Sequence, residues 1–559
     1  MTRLVGPPVQ ILKEGSKRIE GEDAQRVNIR AARTISESLK STLGPRGLDK
    51  MLIDRLGGIV ITNDGATILE EMDVQHPIGR LLVEIARAQD DEVGDGTTSV
   101  IVIIGELLKR IELLLDLNVH PSSIVKGLKI GGVEAKKILK NSAKKVNLDE
   151  NNEILIEIAK TSLNSKLVAK GKEKFAEFCV KAALKIQEKR DSGNYIQPED
   201  VKIIKMQGKS LLDSEFIEGI IIQEELLHPL MPKQIKNAKI ALLHTGLEIE
   251  KSNIDTAIEI NDPEQINALL EEEENTLRRY AQKIIEIGAN VVISQKSIND
   301  FVQEIFVEHG ILALKRIKRK DMNKIVRAVG GTVVTFIDDL EKKDLGYAGL
   351  VQEIEVGRKK MVVVKECSNP KSVSILLRGS IDKMIDEAER AIHDGICVIG
   401  DLIKNNYIIP GGGAIEVELA RKLRKHAQSI GGREQLAIEA LAESFEIIPK
   451  TLAINSGFDP IDKIIELRAK HEEVPGSTYG INVYNGKIEE MLEKNKIIEP
   501  LEVKLQQISS IVEAVSMILR IDDVVAAKLI SPEAKSGAPM ANLPPGYRQD
   551  PTSGKILKP

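Results

Sequence analysis

The sequence predicts a multidomain fold, mostly α-helical toward its two ends, with an α/β module inserted between them. Apolar residues at helical spacing dominate about 23–189 and 380–520, whereas strand-like runs alternate with helices between about 195 and 366. At roughly 100–200 residues per domain, a chain of 559 residues corresponds to about three to five domains. The composition, 42% hydrophobic and 29% charged, can supply several hydrophobic cores.

The N-terminal region is predicted to be helical, with one short β-rich interruption. A long amphipathic helix at 23–43 ends in the Gly-Pro-Arg-Gly turn at 44–47, and β-rich runs follow at 50–54 and 58–62. The segment 97–115 is apolar on nearly every side over its first half, which is typical of a buried helix. Further helices are expected at 121–145, 151–160 and 170–189.

The rest of the chain begins with strands and returns to helices. Strands are expected at 201–208, 216–222 and 238–246. Helices are expected at 380–405, 413–429, 434–456 and 500–520. The polar, Pro- and Gly-rich residues 536–559 are expected to form a disordered tail.

The segment 248–274 is unusually acidic, with ten acids and one base among interleaved isoleucines and leucines. Its Asp262-Pro263 pair is typical of a helix start, with Asp262 as the N-cap and Pro263 in the first turn. The segment is therefore either a solvated helix face or a projecting element whose apolar stripe meets a partner.

The charge balance argues against a nucleic-acid-binding protein. The chain carries 79 basic and 84 acidic residues, a net charge of −5, whereas nucleic-acid binding usually requires a strongly basic face. Three cysteines are too few for a disulfide framework, which indicates a reducing compartment. The N-terminus lacks the apolar core of a signal peptide, and no apolar run approaches about 20 residues, so we expect a soluble, cytoplasmic protein without a membrane span.

Familiar catalytic motifs are missing from the sequence. It has no HExxH, GxSxG or paired CxxC pattern, which disfavours zinc enzymes and serine hydrolases. Gly208-Lys209-Ser210 imitates the end of a phosphate-binding P-loop, but Ile203 occupies the position of the required first glycine.

Gly-flanked aspartates at predicted turns point instead to a nucleotide site. Gly94-Asp95-Gly96 and the hydroxyl residues 97–99 open the predicted buried helix, where free backbone N–H groups and the helix dipole favour phosphate. A carboxylate beside phosphate needs a hard cation between them, so Asp95 is a candidate Mg²⁺ ligand. Asn63-Asp64-Gly65 and the glycines at 411–413 repeat the arrangement. Each alone could be a simple turn or helix cap, but together they favour a nucleotide site.

Four long motifs surround these turns: LKSTLGPRGLDKML at 39–52, TNDGATILEEM at 62–72, EVGDGTTSV at 92–100 and IIPGGGAIEVELA at 408–420. They resemble signatures of the group II chaperonins, the family of the archaeal thermosome subunits and their eukaryotic cytosolic relatives. The resemblance extends from about residue 8 to 535. It implies an ATP-dependent molecular chaperone with ATP or ADP and Mg²⁺ as cofactors. Such a chain is one subunit of a double ring that encloses unfolded proteins and closes a lid.

The resemblance also implies three domains, two of them discontinuous. A mostly α-helical equatorial ATPase domain would take 1–148 and 403–535, and an α/β intermediate hinge domain would take 149–217 and 367–402. An α/β apical domain would take 218–366, with a helical lid protrusion near 248–274. The implied partners are identical or paralogous subunits and unfolded client proteins.

Residue roles are implied position by position. Asp95 would hold Mg²⁺, while Asp64 and Asp394 would position and activate the attacking water. Apart from the resemblance, Asp394 is an ordinary helix carboxylate. The sequence departs from the family pattern at Lys496, where the family usually has a glycine. The nucleotide-binding residues implied are Leu43, Gly44, Pro45, Gly65, Gly96, Thr97, Thr98, Ser99, Ser165, Lys166, Gly411, Gly412 and Glu499; of these, Ser165 and Lys166 would sense the γ-phosphate and Glu499 would contact the ribose.

Two functions of other classes stay open. A hydrolysis-poor ring scaffold or protein-assembly factor would keep the ring without turning over ATP, although the three intact aspartates argue against it. A small-molecule kinase would need a second substrate pocket, which no motif indicates.

Overall fold

Long helices form both ends of the chain, and a mixed sheet forms its middle. The computed structural model describes residues 17–53, 57–72, 74–148, 152–164, 168, 171–190, 193–248, 263–367, 371–526, 548–549 and 556–557. Its α-helices are α1 (Gly21–Leu39), α2 (Gly65–Glu71), α3 (Pro77–Val93), α4 (Thr97–Asp116), α5 (Pro121–Ser142), α6 (Asn152–Leu163), α7 (Lys172–Ile186), α8 (Pro263–Glu286), α9 (Asp300–Glu308), α10 (Arg319–Val329), α11 (Asp382–Asn405), α12 (Ala414–Ile430), α13 (Gly432–Phe445), α14 (Ile447–Asn455), α15 (Pro460–Glu473) and α16 (Leu501–Leu519).

The strands are short outside the middle of the chain. They are β1 (Lys17–Glu20), β2 (Lys50–Ile53), β3 (Ile59–Thr62), β4 (Lys144–Lys145), β5 (Glu188–Arg190), β6 (Gly193–Tyr195), β7 (Val201–Gln207), β8 (Glu215–Ile217), β9 (Gly219–Ile222), β10 (Gln234–Leu243), β11 (Val291–Ser294), β12 (Leu312–Leu314), β13 (Val333–Val334), β14 (Gly346–Val356), β15 (Lys359–Lys365), β16 (Val373–Gly379), β17 (Tyr407–Pro410), β18 (Tyr479–Ile481), β19 (Ile488–Glu490), β20 (Ile498–Pro500), β21 (Asp523–Ala526), β22 (Arg548–Gln549) and β23 (Ile556–Leu557). The first hairpin, β2–β3, is antiparallel, as the two β-rich runs predicted there suggest.

Most helices predicted toward the two ends are confirmed to within a few residues, and the segment predicted to be helical at 434–456 is helical with one interruption. That segment forms two helices, α13 and α14, which meet at Glu446. In a continuous helix Pro449 would lack its backbone hydrogen bond and clash with the carbonyl of Phe445, so a break before it is expected. Helices α3 and α15 went unpredicted, although proline in the first turn of each is typical of a helix start.

Two predicted segments lie largely outside the described residues. Of the tail at 536–559, only β22 and β23 are described, and they pair as antiparallel strands where no regular structure was expected. Residues 249–262 of the acidic segment, including the predicted N-cap Asp262, are also outside the described ranges. Helix α8 nevertheless begins at Pro263, as predicted.

Both ends of the chain share one hydrophobic core. It combines buried side chains between Ile29 and Leu139 with others between Ile409 and Leu519. Helix α4 belongs to it, and the side chains of 100–104 are at most 1% exposed, which confirms the predicted burial. Strands β1 and β21 also join the two ends as an antiparallel pair. No helix in the described ranges, the apolar α4 included, is long and apolar enough to cross a membrane.

The middle of the chain packs around separate cores. One core joins α6, α7 and α11 with β16, and draws mainly on residues 146–201 and 373–408. The largest sheet has the order β12-β11-β10-β14-β15-β9, parallel from β10 to β12 and antiparallel from β10 to β9, with β13 also paired to β10. Helix α10 covers one face of this sheet, and α8 and α9 cover the other.

Shortening a side chain at the centre of α4 should destabilise the protein. Leu107 is fully buried, and Leu107→Ala would leave a cavity that costs about 2–5 kcal/mol. Leu113→Ala is the matched control, since Leu113 is 61% exposed on the same helix and should change stability by less than about 0.5 kcal/mol. Scanning calorimetry of the full chain measures both melting temperatures. Equal shifts for the two variants would contradict this difference in burial.

Candidate active site

One cavity, of about 380 Å³, is lined by aspartates from three separate parts of the chain. Asp64 precedes α2, Asp95 lies in the turn between α3 and α4, and Asp394 lies on α11. We call it the aspartate cavity. Of the residues predicted to bind nucleotide, it is lined by Leu43, Gly44, Pro45, Gly96, Thr97, Thr98, Ser99, Gly412 and Glu499.

Two predicted glycines, Gly65 and Gly411, are not among the residues that line the aspartate cavity. A Cβ added to Gly65 would lie 2.6 Å from the Thr98 Oγ1, and one added to Gly411 would lie 3.0 Å from the Glu499 Oε1. Both glycines therefore allow close packing against residues that do line the cavity.

The predicted γ-phosphate sensors, Ser165 and Lys166, lie outside the described residues. Their role stays a prediction. The end of α6, which leads toward them, does reach the cavity, because Thr161 and Ser162 line it.

The turn between α3 and α4 presents a helix N-terminus to the aspartate cavity. Gly94 and Gly96 have φ values of 63° and 80°, a left-handed conformation that favours glycine. The Asp95 carboxylate accepts a hydrogen bond from the Gly96 N–H at 2.6 Å. In the described part of the chain, no side chain caps the start of α4. Its first N–H groups, at 97–99, are therefore suited to an anion.

Asp64 connects the starts of two helices. Its Oδ2 caps α2 by accepting hydrogen bonds from the Thr67 N–H and the Thr67 hydroxyl, both at 2.8 Å. Its Oδ1 accepts a hydrogen bond from the Thr97 hydroxyl at 3.0 Å. The helix-cap role considered for this motif is confirmed, and the same carboxylate also lines the cavity.

Asp394 reaches the cavity from the second core. It is 7% exposed and lies on α11, which packs directly on Gly94: a Cβ at that glycine would lie 2.4 Å from the Cys397 Cβ. Gly94 thus permits the close approach that brings the third aspartate to the cavity. The Nδ1 of His393 lies 3.7 Å from the Asp394 Oδ1, and the Asp394 carboxylate and Cys397 thiol raise the pKa of His393 above its ordinary value.

The loop at 43–45 is held in place by the C-terminal part of the chain. Asn455 Nδ2 donates hydrogen bonds to the carbonyl oxygens of Lys40 at 2.9 Å and Leu43 at 2.8 Å. Leu452 packs over Gly44, since a Cβ there would lie 2.3 Å from the Leu452 Cδ2. These contacts join the first motif to α14.

A buried lysine in the cavity wall holds two carboxylates. Lys504 Nζ lies 2.7 Å from the Glu416 Oε1 and 2.9 Å from the Glu499 Oε2. Burial alone would lower the pKa of Lys504, but the two carboxylates outweigh it and raise that pKa. Burial also raises the pKa of Glu499, against the opposing effect of the ammonium. Glu416 and Lys504 went unpredicted, and only the glycine run before Glu416 could have signalled either residue.

Most of the apolar part of the wall, apart from Leu43, also went unpredicted. It comes from side chains of the C-terminal part of the chain that no motif contains. They are Ile448, Leu452, Ile481, Val483, Met491, Ile497 and Val503.

The backbone conformation at Lys496 is one that suits the glycine which the family resemblance implies at this position. Its φ is 52°, in the left-handed region that glycine adopts more easily than lysine. The Lys496 ammonium pairs with Glu153 of α6.

The oxygen donors of the cavity suit a hard cation that is shared with phosphate. Asp64 and Asp95 offer carboxylates, and Thr97 and Thr98 offer hydroxyls. Mg²⁺ usually takes one or two protein carboxylates and completes its shell with phosphate oxygens and water. Among the described residues, no group of three or more His, Cys, Asp or Glu side chains could hold a metal ion.

Comparison with known proteins relates these features to one family. The sequence profile of the TCP-1/cpn60 chaperonin family matches residues 35–529. Thermosome subunits of Pyrococcus horikoshii and Methanopyrus kandleri are each 48% identical to the chain, over 95% and 94% of it and 96% of each relative. The thermosome subunit beta of Sulfurisphaera tokodaii is also 48% identical, over 95% of this chain and 96% of its own length. The chain therefore belongs to the TCP-1/cpn60 chaperonin family.

Proposed function

We propose that the chain is an ATP-hydrolysing subunit of a double-ring chaperonin that encloses unfolded proteins and promotes their folding by closing a lid. The observation that carries this proposal is the convergence of Asp64, Asp95 and Asp394 on the open N-terminus of α4. A helix N-terminus attracts phosphate, and the carboxylates provide for a cation and for water.

The proposed domains are an equatorial domain at 1–148 and 403–535, an intermediate domain at 149–217 and 367–402, and an apical domain at 218–366. The separate cores support this division. The first core draws on both chain ends, the second on the two flanking segments, and the remaining large cores on the faces of the central sheet.

In the proposed mechanism, the first turn of α4 binds the phosphates, and Asp95 would hold Mg²⁺. The cation, when bound, would neutralise charge on the phosphate oxygens. Asp64 and Asp394 accept hydrogen bonds from a water molecule whose oxygen attacks the γ-phosphorus, with ADP as the leaving group. Asp394 takes the proton that this water loses.

The position of Asp394 would couple ATP hydrolysis to closure of the lid. It belongs to α11 in the second core, whereas Asp64 and Asp95 flank helices of the first core. A rotation of the elements around the second core would therefore move Asp394 relative to the other two aspartates. Hydrolysis and domain movement are coupled through this geometry.

The proposed partners and cellular location are inferred from membership of the family. We propose identical or paralogous subunits in two stacked rings, unfolded client proteins inside them, and a cytoplasmic location. The proposed lid is the acidic segment near 248–274. Its support is that α8 begins at Pro263 and exposes Glu271, Glu272 and Glu274.

Asp95→Asn and Asp394→Asn should both reduce ATP turnover, but each should affect a different step. Asp95→Asn removes the cation ligand, so nucleotide affinity at limiting Mg²⁺ should fall. Asp394→Asn should bind nucleotide almost normally and slow hydrolysis by about 10²–10⁴-fold, as expected for a positioned base. Isothermal titration measures binding, and steady-state phosphate release measures turnover.

The matched control for these variants is Asp386→Asn. Asp386 lies on α11 like Asp394, but it pairs with Lys205 at 2.9 Å and does not line the aspartate cavity. Its turnover should stay near that of the parent protein. Equal loss of binding in the Asp95 and Asp394 variants would refute the division of roles, and a parent protein without phosphate release would favour a ring scaffold.

Deleting residues 250–272 should separate enclosure from hydrolysis. The deletion removes the acidic segment proposed as the lid, while the aspartate cavity lies in other parts of the chain. We expect ATPase activity and ring assembly to persist and protection of an enclosed client from protease to be lost. Should the deletion variant still protect a client in the presence of ATP, the segment is only a solvated helix face.

A further inference from the structure

Another cavity, of about 900 Å³, lies between the three-stranded sheet β7-β16-β8 and the neighbouring strands β14 and β15. Arg378 of β16 lines one part of its wall, and Glu355 of β14 lines another. We call it the arginine cavity. It shares no lining residue with the aspartate cavity, so a ligand here would occupy a separate site. Its volume is within the range usual for small-molecule sites.

Arg378 is buried in the wall of the arginine cavity without a charged partner. The residue is 7% exposed. Its Nε donates a hydrogen bond at 3.3 Å to the carbonyl oxygen of Gly208, in the motif that imitates a P-loop. Its two terminal nitrogens have no hydrogen-bond or ion-pair partner among the described residues, yet neither is fully enclosed. Both are therefore accessible where Arg378 lines the cavity.

An unpaired guanidinium of this kind favours an anionic ligand. A buried charge is unfavourable unless an opposite charge pairs with it. The two terminal nitrogens of an arginine form a planar fork that matches the two oxygens of a carboxylate, and a phosphate can also accept from such a fork. The side chain of Arg378 therefore offers a ready site for one of these two groups.

The other charged side chains of the arginine cavity favour a ligand that carries both signs of charge. Lys185 pairs with Glu218 at 3.1 Å, and Asp213 accepts a hydrogen bond from the Ser210 N–H. Those without an ion-pair partner among the described residues are balanced, three acids against three bases: Glu215, Glu355, Glu366, Lys209, Lys365 and Arg378. A phosphate dianion would be repelled by the three acids, whereas the ammonium of a zwitterion would be attracted to them.

The arginine cavity also has an apolar part, to which both sheets contribute. Its side chains are Phe216, Ile217, Ile354, Val356 and Leu376. Apolar surface of this kind is covered favourably by an apolar ligand group. A guanidinium, unpaired acids and apolar side chains thus line one cavity.

We propose that the arginine cavity binds a free α-amino acid with an apolar side chain. Its carboxylate pairs with the two terminal nitrogens of Arg378, and its ammonium with the unpaired acids of the same cavity. This site goes beyond the proposed ATP hydrolysis and does not depend on it. The proposed intermediate and apical domains both contribute to its wall, so on that division a bound ligand would connect them.

The test is equilibrium dialysis of the full-length protein against radiolabelled L-leucine, with saturating Mg²⁺ and ADP to occupy the aspartate cavity. The parent protein should retain L-leucine. Unlabelled L-leucinamide lacks the carboxylate and N-acetyl-L-leucine lacks the ammonium, so each should compete about tenfold or more weakly than L-leucine. Arg378→Gln removes the fork and should weaken binding by about tenfold or more. It leaves no carboxylate of the protein unpaired, so the variant should fold.

Arg424→Gln is the matched control. Arg424 lies on α12 and pairs with Glu446 at 2.6 Å, but it does not line the arginine cavity. Glu446 keeps a second partner, Arg468, so the control also loses a guanidinium without leaving a carboxylate unpaired. It should retain L-leucine as the parent does. Arg378→Lys keeps the charge but loses the fork; it should also bind more weakly, and it replaces Arg378→Gln if that variant fails to fold.

Three results would overturn the inference. The first is a parent protein that retains no L-leucine. The second is unchanged retention in the Arg378 variants, which would place the ligand elsewhere. The third is competition by L-leucinamide or inorganic phosphate that equals or exceeds that of L-leucine, which would assign the cavity to another class of ligand.

Discussion

Helix α4 must be buried along its body while its first turn stays open, and the rest of the structure depends on this constraint. Its apolar side chains at 100–104 are enclosed by the core that both chain ends share. Such a helix cannot shift without disrupting close packing, so its N-terminus is a fixed reference point. The bond from the Thr97 hydroxyl to Asp64 and the turn at Asp95 are positioned relative to that point.

Three carboxylates beside one cavity would repel one another without compensation. The α4 dipole and the Thr97 hydroxyl offset part of this repulsion in the protein itself. A cation shared with phosphate would offset more of it, and the oxygen donors present suit such a cation. Because Asp394 arrives on α11, the full set of charges exists only when that helix packs on Gly94. The charge in the cavity therefore depends on how α11, which belongs to the second core, packs against Gly94.

The parts of this arrangement that could be predicted are those with a local signal. The burial of α4 followed from its apolar composition, and its start without a side-chain cap followed from Gly94 and Gly96. Asp394 has no local signal, because an acid on an amphipathic helix is ordinary, and only the family resemblance singled it out. Glu416 and Lys504 went unpredicted for a related reason: their significance comes from a contact between α12 and α16, which no spacing along one helix encodes. The break between α13 and α14 was predictable in principle from Pro449, but the apolar pattern continues across it.

The shared core also determines when the protein can fold during synthesis. Side chains between Ile29 and Leu139 need those between Ile409 and Leu519 to complete their core, and β1 pairs with β21. On the ribosome, the N-terminal helices emerge first but must wait for the last part of the chain, a delay on the order of tens of seconds at about 5–20 residues per second. The central sheet has all of its strands between Gly219 and Lys365, so it can fold before translation ends. A protein that helps others to fold thus has a long interval in which its own apolar helices are incompletely covered.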